Sequence, residues 1–305
     1  MIKCYRRKTR TYNNKILVSE EISGIFLCEE SKRPLNKNIL LNGIFVDTRN
    51  SAHLGDVLTI VLNYPEDNSN IVPKKMHLDI VYEDEHILAI NKPAGIAVHP
   101  SFLHFDDSLA NGVKYYFDTI GLEKKIRAVN RIDLNTSGLV LFAKNEYIQE
   151  CLIKQMNSSL FEKIYLAVVC GKLPKKIGTI NAPIARKENS IIERKVSNNG
   201  QTAITHYEIL QEFENYSLVK CILETGRTHQ IRCQLSENKM PIKGDLKYGA
   251  KRSEKMGGIR LHAGKIALFH PVTKEYLEFF GDFPFEDNLW LEVKKSIKNI
   301  EDLEK

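Results

Sequence analysis

The chain has 305 residues, 43% of them hydrophobic and 27% charged, with a formal net charge of +6. This composition is typical of a globular protein with a sizeable core, and it excludes bulk disorder. No apolar run reaches the roughly 18 residues that a membrane-spanning helix needs, and no apolar stretch follows the basic N-terminus as it would in a secretory signal. We therefore expect a soluble, cytoplasmic protein without a membrane partner.

The six cysteines are widely spaced and form neither a C-x-x-C pair nor a Cys–His cluster at zinc-ligand spacing. This pattern predicts reduced thiols that pack as small hydrophobic side chains. The sequence also has no H-E-x-x-H, G-x-G-x-x-G or Walker A motif. We therefore expect neither a metal nor a nucleotide cofactor.

The N-terminal segment is basic and is followed by a short strand-rich region. Residues 1–15 carry six basic side chains and no acidic one: Lys3, Arg6, Arg7, Lys8, Arg10 and Lys15. Such a segment is either a phosphate-contacting arm or a solvated tail. Next, KNILLNGIFVDTRNSAHLGDVLTIVL predicts three strands joined by turns, since Asn-Gly between apolar runs is typical of a hairpin. Residues 63–75 resemble a linker in composition, which predicts a small unit over residues 1–75 and a larger domain over residues 76–305.

The larger domain combines many strands with a few amphipathic helices. Its first half predicts two strands in LDIVYEDEHILAINKPAG, a helix over residues 107–120, a buried strand in GLVLFAKN and a helix in EYIQECLIKQMN. Strands follow in FEKIYLAVVCG, TAITHYEILQEF and YSLVKCILETG, then a helix that begins just after Gly226, and finally strands in RLHAGKIALFH and KEYLEFFGDFP. Runs of strands with few intervening helices predict an α+β fold.

A polar turn precedes the buried strand in NRIDLNTSGLVLFAKN. In extended backbone, Arg131 and Asp133 point to one side and Ile132 to the other. The Asn, Thr and Ser that follow are all able to bond backbone amides. The fragment by itself supports two interpretations, an Asp that caps a turn or an Asp that forms a site.

A basic cluster lies at the start of the third predicted helix, in ETGRTHQIRCQL. Its polar members are Arg227, His229, Gln230 and Arg232. Because Ile231 and Leu235 share a helical face, Arg232 beside them is expected to be partly buried. A buried guanidinium needs an anion, and Asp133 is a candidate.

Two further features have a plain structural interpretation and a functional one. Tyr165 lies among strand residues in EKIYLAVV, where aromatic residues usually serve packing. Lys92, Pro93 and Gly95 form a loop after a strand in NKPAGIAVHPS, and such a loop either supports a cleft or is only a turn.

Together these segments carry a family resemblance. VNRIDLNTSGLVLFAKN resembles the catalytic motif of the RluA/RluD-type pseudouridine synthases, in which His-Arg-Leu-Asp is followed by Thr-Ser-Gly and a hydrophobic strand. KIYLAVVCG resembles the tyrosine strand, ETGRTHQIRCQL with MPIKGDLKYG the basic motif and its loop, and NKPAGIAVHPS and RLHAGKIALFHP two further blocks. The blocks stand in the family order over about residues 78–285. Residues 30–62 resemble a worn S4-type RNA-binding module.

The resemblance implies a pseudouridine-synthase core, with a mostly antiparallel mixed sheet flanked by helices around a central cleft, after a small S4-like unit. It implies an enzyme that isomerises specific uridines in structured RNA, either ribosomal RNA, which we favour, or transfer RNA. We expect this enzyme to be a monomer. The implied catalytic residues are Asp133, as nucleophile or base at the sugar, Tyr165, which stacks on the flipped-out base, and Arg232. The implied substrate-binding residues are Arg131, Asn130, Thr136, Arg227, His229, Gln230, Lys92 and Leu261.

Two positions depart from the family pattern, and two other functions stay open. Asn130 replaces the first His of the catalytic motif, and Gln234 stands where many members have His. Asn cannot carry a proton but suffices if position 130 only holds the turn by hydrogen bonding, which we favour. The alternatives are a uracil-releasing glycosylase-type hydrolase, with Asp245 as its second carboxylate, and a non-catalytic RNA-binding protein on the same fold.

Overall fold

The structure, a computed structural model, describes residues 9–12, 15–18, 39–46, 53, 56–61, 65–171, 175–190, 192–250, 258–284 and 288–296. The chain divides into two compact units, residues 1–67 with 270–274 and residues 68–269 with 275–305. The basic residues from Lys3 to Lys8 lie outside the described residues.

The described part of the first unit is an antiparallel sheet. Its strands are β1 (Thr9–Tyr12), β2 (Lys15–Val18), β3 (Ile39–Leu41), β4 (Ile44–Phe45) and β5 (Leu58–Val61), in the order β1-β2-β5-β3-β4. Asn42 and Gly43 join β3 to β4 with φ of 52° and 83°, the positive values of a type I′ hairpin turn. The three predicted strands are confirmed. The hairpin β1–β2 falls in the basic segment, where the sequence predicted an arm or a tail.

Besides a short 3-10 helix over Leu246–Tyr248, the second unit contains the remaining strands and α-helices. In chain order they are β6 (Ile80–Glu83), β7 (Ile87–Lys92), α1 (Leu109–Thr119), β8 (Arg127–Ala128), β9 (Ser137–Ala143), α2 (Glu146–Met156), β10 (Phe161–Cys170), β11 (Ile177–Asn181), β12 (Ile184–Arg186), β13 (Arg194–Val196), β14 (Ile204–Glu212), β15 (Tyr216–Leu223), α3 (Gln230–Glu237), β16 (Leu261–Phe269), β17 (Tyr276–Phe280) and α4 (Asn288–Ser296).

A large mixed sheet forms the body of this unit. Its main strand order is β11-β14-β15-β10-β16-β9-β7-β6, with β17 on β16 and β8 on β9. Among the described strands only β9 and β16 pair in parallel, and β12 and β13 form a separate hairpin. The predicted α+β class and the mostly antiparallel mixed sheet are therefore confirmed.

Helices cover both faces of the sheet. On one face, Phe117 of α1 and Leu235 of α3 pack with Val140 of β9 in the main core. On the other face, Trp290 of α4 packs with Leu166 of β10, whose side chain points away from the main core because strand residues alternate. Within the described ranges, no helix is long and apolar enough to cross a membrane.

One helix boundary differs from its prediction. The helix expected just after Gly226 begins at Gln230, because His229 has a left-handed backbone with φ of 58°. The residues before it form a tight turn, in which the amide of Gln230 donates to the carbonyl of Arg227 (3.0 Å). A left-handed residue cannot belong to a right-handed helix, so the first turn is lost.

Candidate active site

The polar turn that contains Asp133 lies at the centre of the large sheet. It leads into β9, which meets β16 through the pairs Ser137 with His262 and Gly138 with Ala263. Gly138 has a φ of 112°, and a β-carbon at this position would overlap the backbone of Ala263. Only glycine allows the two strands to approach this closely. The Gly of the Thr-Ser-Gly motif thus fixes the base of the turn.

Sheet register brings Tyr165 to the same place. On β10, Tyr165 pairs with Ala263, the residue that also pairs with Gly138. A register shift between Ile164 and Tyr165 marks an irregularity of the kind that redirects a side chain. Burial and the nearby charge of Asp133 raise the pKa of the Tyr165 hydroxyl, so this hydroxyl stays protonated at neutral pH.

Asn130 anchors the segment that leads to Asp133. Its buried side chain donates from Nδ2 to the carbonyl of Leu139 (3.1 Å) and accepts at Oδ1 from the amide of Leu141 (2.8 Å). Beside it, the amide of Val129 donates to the carbonyl of Leu141 (2.7 Å). These bonds attach the start of the turn to β9, which matches the holding role that the sequence favoured.

Lys92 supports the turn from behind. Its side chain is 1% exposed, and its Nζ donates to the carbonyls of Pro93 (2.8 Å), Ile96 (2.7 Å) and Leu134 (3.1 Å). Burial lowers the pKa of Lys92 to about 7, and the negative charge of Asp133 partly opposes that shift. The bond to Leu134 joins the Lys92 loop directly to the turn of Asp133.

Arg232 is buried between two carboxylates. Its Nη1 donates to Asp133 Oδ2 (2.9 Å), and its Nε and Nη2 donate to the two oxygens of Asp245 (2.7 and 3.0 Å). Burial lowers the pKa of Arg232, but the hydrogen bonds and charges of Asp245 and Asp133 outweigh burial and raise it overall. The structure therefore places Arg232 against Asp133, as predicted, and adds Asp245 as its bidentate partner.

His229 approaches Asp133 from the other side. Its Nε2 lies 3.7 Å from Asp133 Oδ2, and its Nδ1 lies 2.9 Å from the hydroxyl of Tyr248. Burial lowers the pKa of His229, which favours the neutral imidazole. Because the Tyr248 hydroxyl accepts from the amide of Arg194 (2.9 Å), its own proton is free to go to Nδ1. The imidazole proton then sits on Nε2 and faces Asp133.

Asp133, Tyr165, His229 and Arg232 lie around a small cavity of about 70 Å³. Nine of the eleven predicted site residues line it: Arg131, Asp133, Thr136, Tyr165, Arg227, His229, Gln230, Arg232 and Leu261. Asn130 and Lys92 do not line it and act through the backbone of the turn. The Thr136 hydroxyl is buried without a hydrogen-bond partner among the described residues, which is costly unless a ligand supplies one.

Gln230 lines the cavity, but its amide is fully engaged by the protein. Its Oε1 accepts from the Thr225 hydroxyl (2.8 Å) and the Arg227 amide (3.0 Å), and its Nε2 donates to the Ile204 carbonyl (3.0 Å) and the Thr205 hydroxyl (2.9 Å). The bonds to Thr225 and Arg227 stabilise the turn ahead of α3, and the bonds to Ile204 and Thr205 attach the start of α3 to β14. Gln230 therefore shapes the cavity wall that carries Arg227 and His229.

Comparison with known proteins identifies the family. A model of the RNA pseudouridylate synthase family matches residues 86–237. Bacillus subtilis YlyB, an uncharacterized RNA pseudouridine synthase, is 38% identical over 249 residues, which make up 81% of this chain and 82% of the relative. The ribosomal large subunit pseudouridine synthase D of Xylella fastidiosa is 35% identical over 77% of this chain and 74% of the relative. This chain belongs to the RluA/RluD-type RNA pseudouridine synthases.

A solved structure agrees with this pseudouridine synthase assignment. The human RNA pseudouridylate synthase domain containing 1 superposes with a TM-score of 0.58 and 25% sequence identity, over 68% of this chain and 84% of that one. The pseudouridine-synthase fold predicted from the sequence motifs is therefore confirmed, and the protein is an RNA-modifying isomerase.

The structure also weakens the hydrolase alternative for this pseudouridine synthase. Glycoside hydrolysis usually needs two carboxylates that flank the scissile bond. Asp245 is 1% exposed and both of its oxygens are bound to Arg232, so it is not placed to act as the second one. Among the described residues, no group of three His, Cys, Asp or Glu side chains has the arrangement of a metal site.

The sequence alone did not reveal the roles of Asp245 and Tyr248. Both lie in GDLKYG, a block that the family motifs include, and Asp245 was considered only as a catalytic acid. A buried Arg232 has five N–H donors, which indicates that one carboxylate is not enough to satisfy it. Gln234, the second departure from the family pattern, is fully buried and bonds the Thr205 hydroxyl (2.6 Å) and the Ala203 carbonyl (2.9 Å), so it has a structural role.

Proposed function

We propose that this enzyme converts uridine to pseudouridine in ribosomal RNA and that Asp133 is its catalytic carboxylate. The observation that carries the proposal is the hydrogen-bonded row Asp133–Arg232–Asp245 at a cavity that Tyr165 also lines. The similarity to synthases named for the large ribosomal subunit supports ribosomal RNA as the substrate.

The reaction needs few groups, and the cavity supplies them. Isomerisation breaks the C1′–N1 bond of uridine, turns the detached uracil and joins C1′ to C5, and the proton on C5 leaves for solvent while N1 gains one. Asp133 acts at the sugar, as nucleophile at C1′ or as base at C2′. Arg232 holds the carboxylate in place, and Tyr165 stacks on the uracil with its protonated hydroxyl toward C5.

Access to the cavity requires the target nucleotide to leave its stack. Extrusion of a base costs a few kcal/mol in a duplex and less in a loop, so loops or distorted stems are favoured targets. Arg131 is exposed at the cavity, two residues before Asp133. From there its guanidinium can fill the gap that the extruded base leaves.

Tritium release tests the reaction. On RNA labelled with tritium at C5 of uridine, the wild-type enzyme should release tritium to water, and Asp133→Asn should release none. Binding of the RNA by Asp133→Asn should stay within about threefold, because affinity comes from many phosphate contacts. Asp118→Asn makes the same chemical change at an exposed ion pair with Lys114 and is the matched control. Release of free uracil, or a tenth of the normal rate in Asp133→Asn, would contradict the proposal.

The RNA class is tested in cells. Mass mapping of pseudouridines in a strain that lacks this protein should show the loss of a site in ribosomal RNA. Loss confined to transfer RNA would overturn the ribosomal assignment and leave the chemistry untouched.

We further propose that residues 1–75 form a worn S4-like RNA-binding unit ahead of a catalytic domain over residues 76–305, in a cytoplasmic monomer. The six basic side chains within residues 1–15 support RNA contact. Replacing all six by Ser should lower the salt dependence of RNA binding without changing the tritium-release rate at saturating RNA. An unchanged salt dependence would show that this segment does not contact RNA.

A further inference from the structure

A second cavity lies beside the active site and has no role in the chemistry above. It has a volume of about 450 Å³ and lies between the β12–β13 hairpin and the turn of residues 226–228. Arg186, Arg194 and Arg227 line it, together with Asn199 and Gln201, and no acidic residue is among its lining residues. The cavity is therefore strongly positive and rich in hydrogen-bond donors.

Two of the arginines that line this cavity, Arg186 on the hairpin and Arg227 in the turn, have charges that the two acids of the hairpin do not neutralise. The two acids of the hairpin are bound to its lysines, Glu193 to Lys187 (2.5 Å) and Glu188 to Lys195 (2.8 Å). Within the described part of the chain, neither the Arg186 guanidinium nor that of Arg227 has a carboxylate partner. Their charges are available to an external anion.

Protein contacts hold the cavity walls in place. The Arg227 Nε donates to the carbonyl of Thr202 (3.1 Å), which directs this side chain across the cavity. Ile184 and Gln201 exchange two backbone hydrogen bonds of 2.9 Å, and a β-carbon at Gly200 between them would overlap the Ile184 backbone. A glycine at position 200 is needed for this close approach.

The cavity is adjacent to the active-site cavity. Gly226 and Arg227 line both cavities. The hairpin is also connected to the active site by hydrogen bonds, since the Arg194 amide donates to the Tyr248 hydroxyl, which bonds His229 (2.9 Å each). An RNA strand that places a uridine at Asp133 therefore runs next to the arginine-lined cavity.

We propose that this cavity binds the phosphodiester backbone of the RNA segment adjacent to the target uridine. The inference rests on the proposed placement of that uridine at Asp133. Guanidinium groups pair with phosphate oxygens through parallel N–H···O bonds, and a volume of about 450 Å³ accommodates more than one phosphate group. The site recognises the RNA backbone rather than a base, so it positions the strand for any sequence.

The test measures how RNA affinity depends on salt. A synthetic stem-loop of about 20 nucleotides that carries the mapped uridine is titrated with full-length wild-type, Arg186→Ala and Arg186→Lys enzyme over a range of KCl concentrations. The slope of log K against log salt is negative, and each lost phosphate contact in a single strand reduces its magnitude by about 0.7. We expect that decrease in Arg186→Ala and a smaller one in Arg186→Lys. Lys154→Ala, which removes an exposed cation of α2 that lines neither cavity, should keep the wild-type slope.

A thermodynamic cycle identifies the phosphate. Neutral methylphosphonates replace the phosphates within four nucleotides of the uridine, one at a time. At one or two positions the wild-type enzyme should lose affinity, whereas Arg186→Ala should not. The proposal would be overturned if the affinity losses caused by the methylphosphonate and by Arg186→Ala simply add at every position. It would also be overturned if the salt slope of Arg186→Ala equals that of the wild type. Tritium release by the wild type on the same RNA is read separately, so failure of the catalytic assignment is distinguishable from failure of this site.

Discussion

Asp245→Asn should destabilise the protein although Asp245 does not contact the substrate cavity. Asp245 is 1% exposed and accepts two hydrogen bonds from Arg232, of 2.7 and 3.0 Å. Asn offers one oxygen and turns an amide N–H toward the guanidinium. Removing one member of a buried ion pair costs roughly 3–5 kcal/mol because the other charge stays buried. Arg232 keeps its bond to Asp133, so the low end, about 3 kcal/mol, is expected.

Thermal unfolding of the full chain measures this effect. For a domain of this size, a loss of about 3 kcal/mol lowers Tm by roughly 6–12 °C. Tritium release should fall at least about tenfold, because Asp133 can then bind the Arg232 N–H groups that Asp245 held. Asp118→Asn, at an exposed pair with Lys114, should shift Tm by little. If Asp245→Asn melts within 2 °C of the wild type, Arg232 does not depend on Asp245 and the account of the site is wrong.

Three further predictions concern residues behind the cavity. Asn130→His should keep the rate within about tenfold, whereas Asn130→Leu leaves two β9 backbone groups unpaired and should cost about 1–3 kcal/mol of stability; a hundredfold gain in the tritium-release rate with His would instead show proton chemistry at this position. Lys92→Met removes the donor to three partly buried carbonyls and should lower the unfolding free energy in urea by roughly 1–3 kcal/mol, so an unchanged midpoint would contradict its supporting role. Burial lowers the pKa of His262 from its ordinary 6.5 to about 4, so the neutral imidazole contributes stability that is complete above pH 6.5 and lost as the pH falls toward 4. This lowering of the pKa corresponds to roughly 3 kcal/mol of unfolding free energy. His262→Gln should therefore flatten the pH dependence of the unfolding free energy between pH 7 and 4.5. Identical pH profiles for the variant and the wild type would disprove the role of His262.

Local patterns predicted the elements and the candidate chemistry. The helical spacing in residues 107–120 and in EYIQECLIKQMN, and the apolar run after Asp133, gave α1, α2 and β9 close to their observed bounds. These features are readable because side-chain periodicity depends on near neighbours in sequence. The apolar positions beside Arg232 likewise indicated a buried guanidinium that needs an anion. The left-handed backbone at His229 carried no such pattern, and the start of α3 was misplaced for that reason.

The tertiary structure decided which distant residues meet. Arg232 and Asp133 are 99 residues apart, and their contact depends on β9 lying beside β16 in the middle of the sheet. The same pairing puts Tyr165 on the neighbouring strand, and the loop after α3 brings Asp245 to the far side of the guanidinium. Strand order and register arise from the burial of whole faces, which no short segment specifies. The sequence by itself therefore predicted which groups form the candidate site, while the fold determined which partners those groups meet.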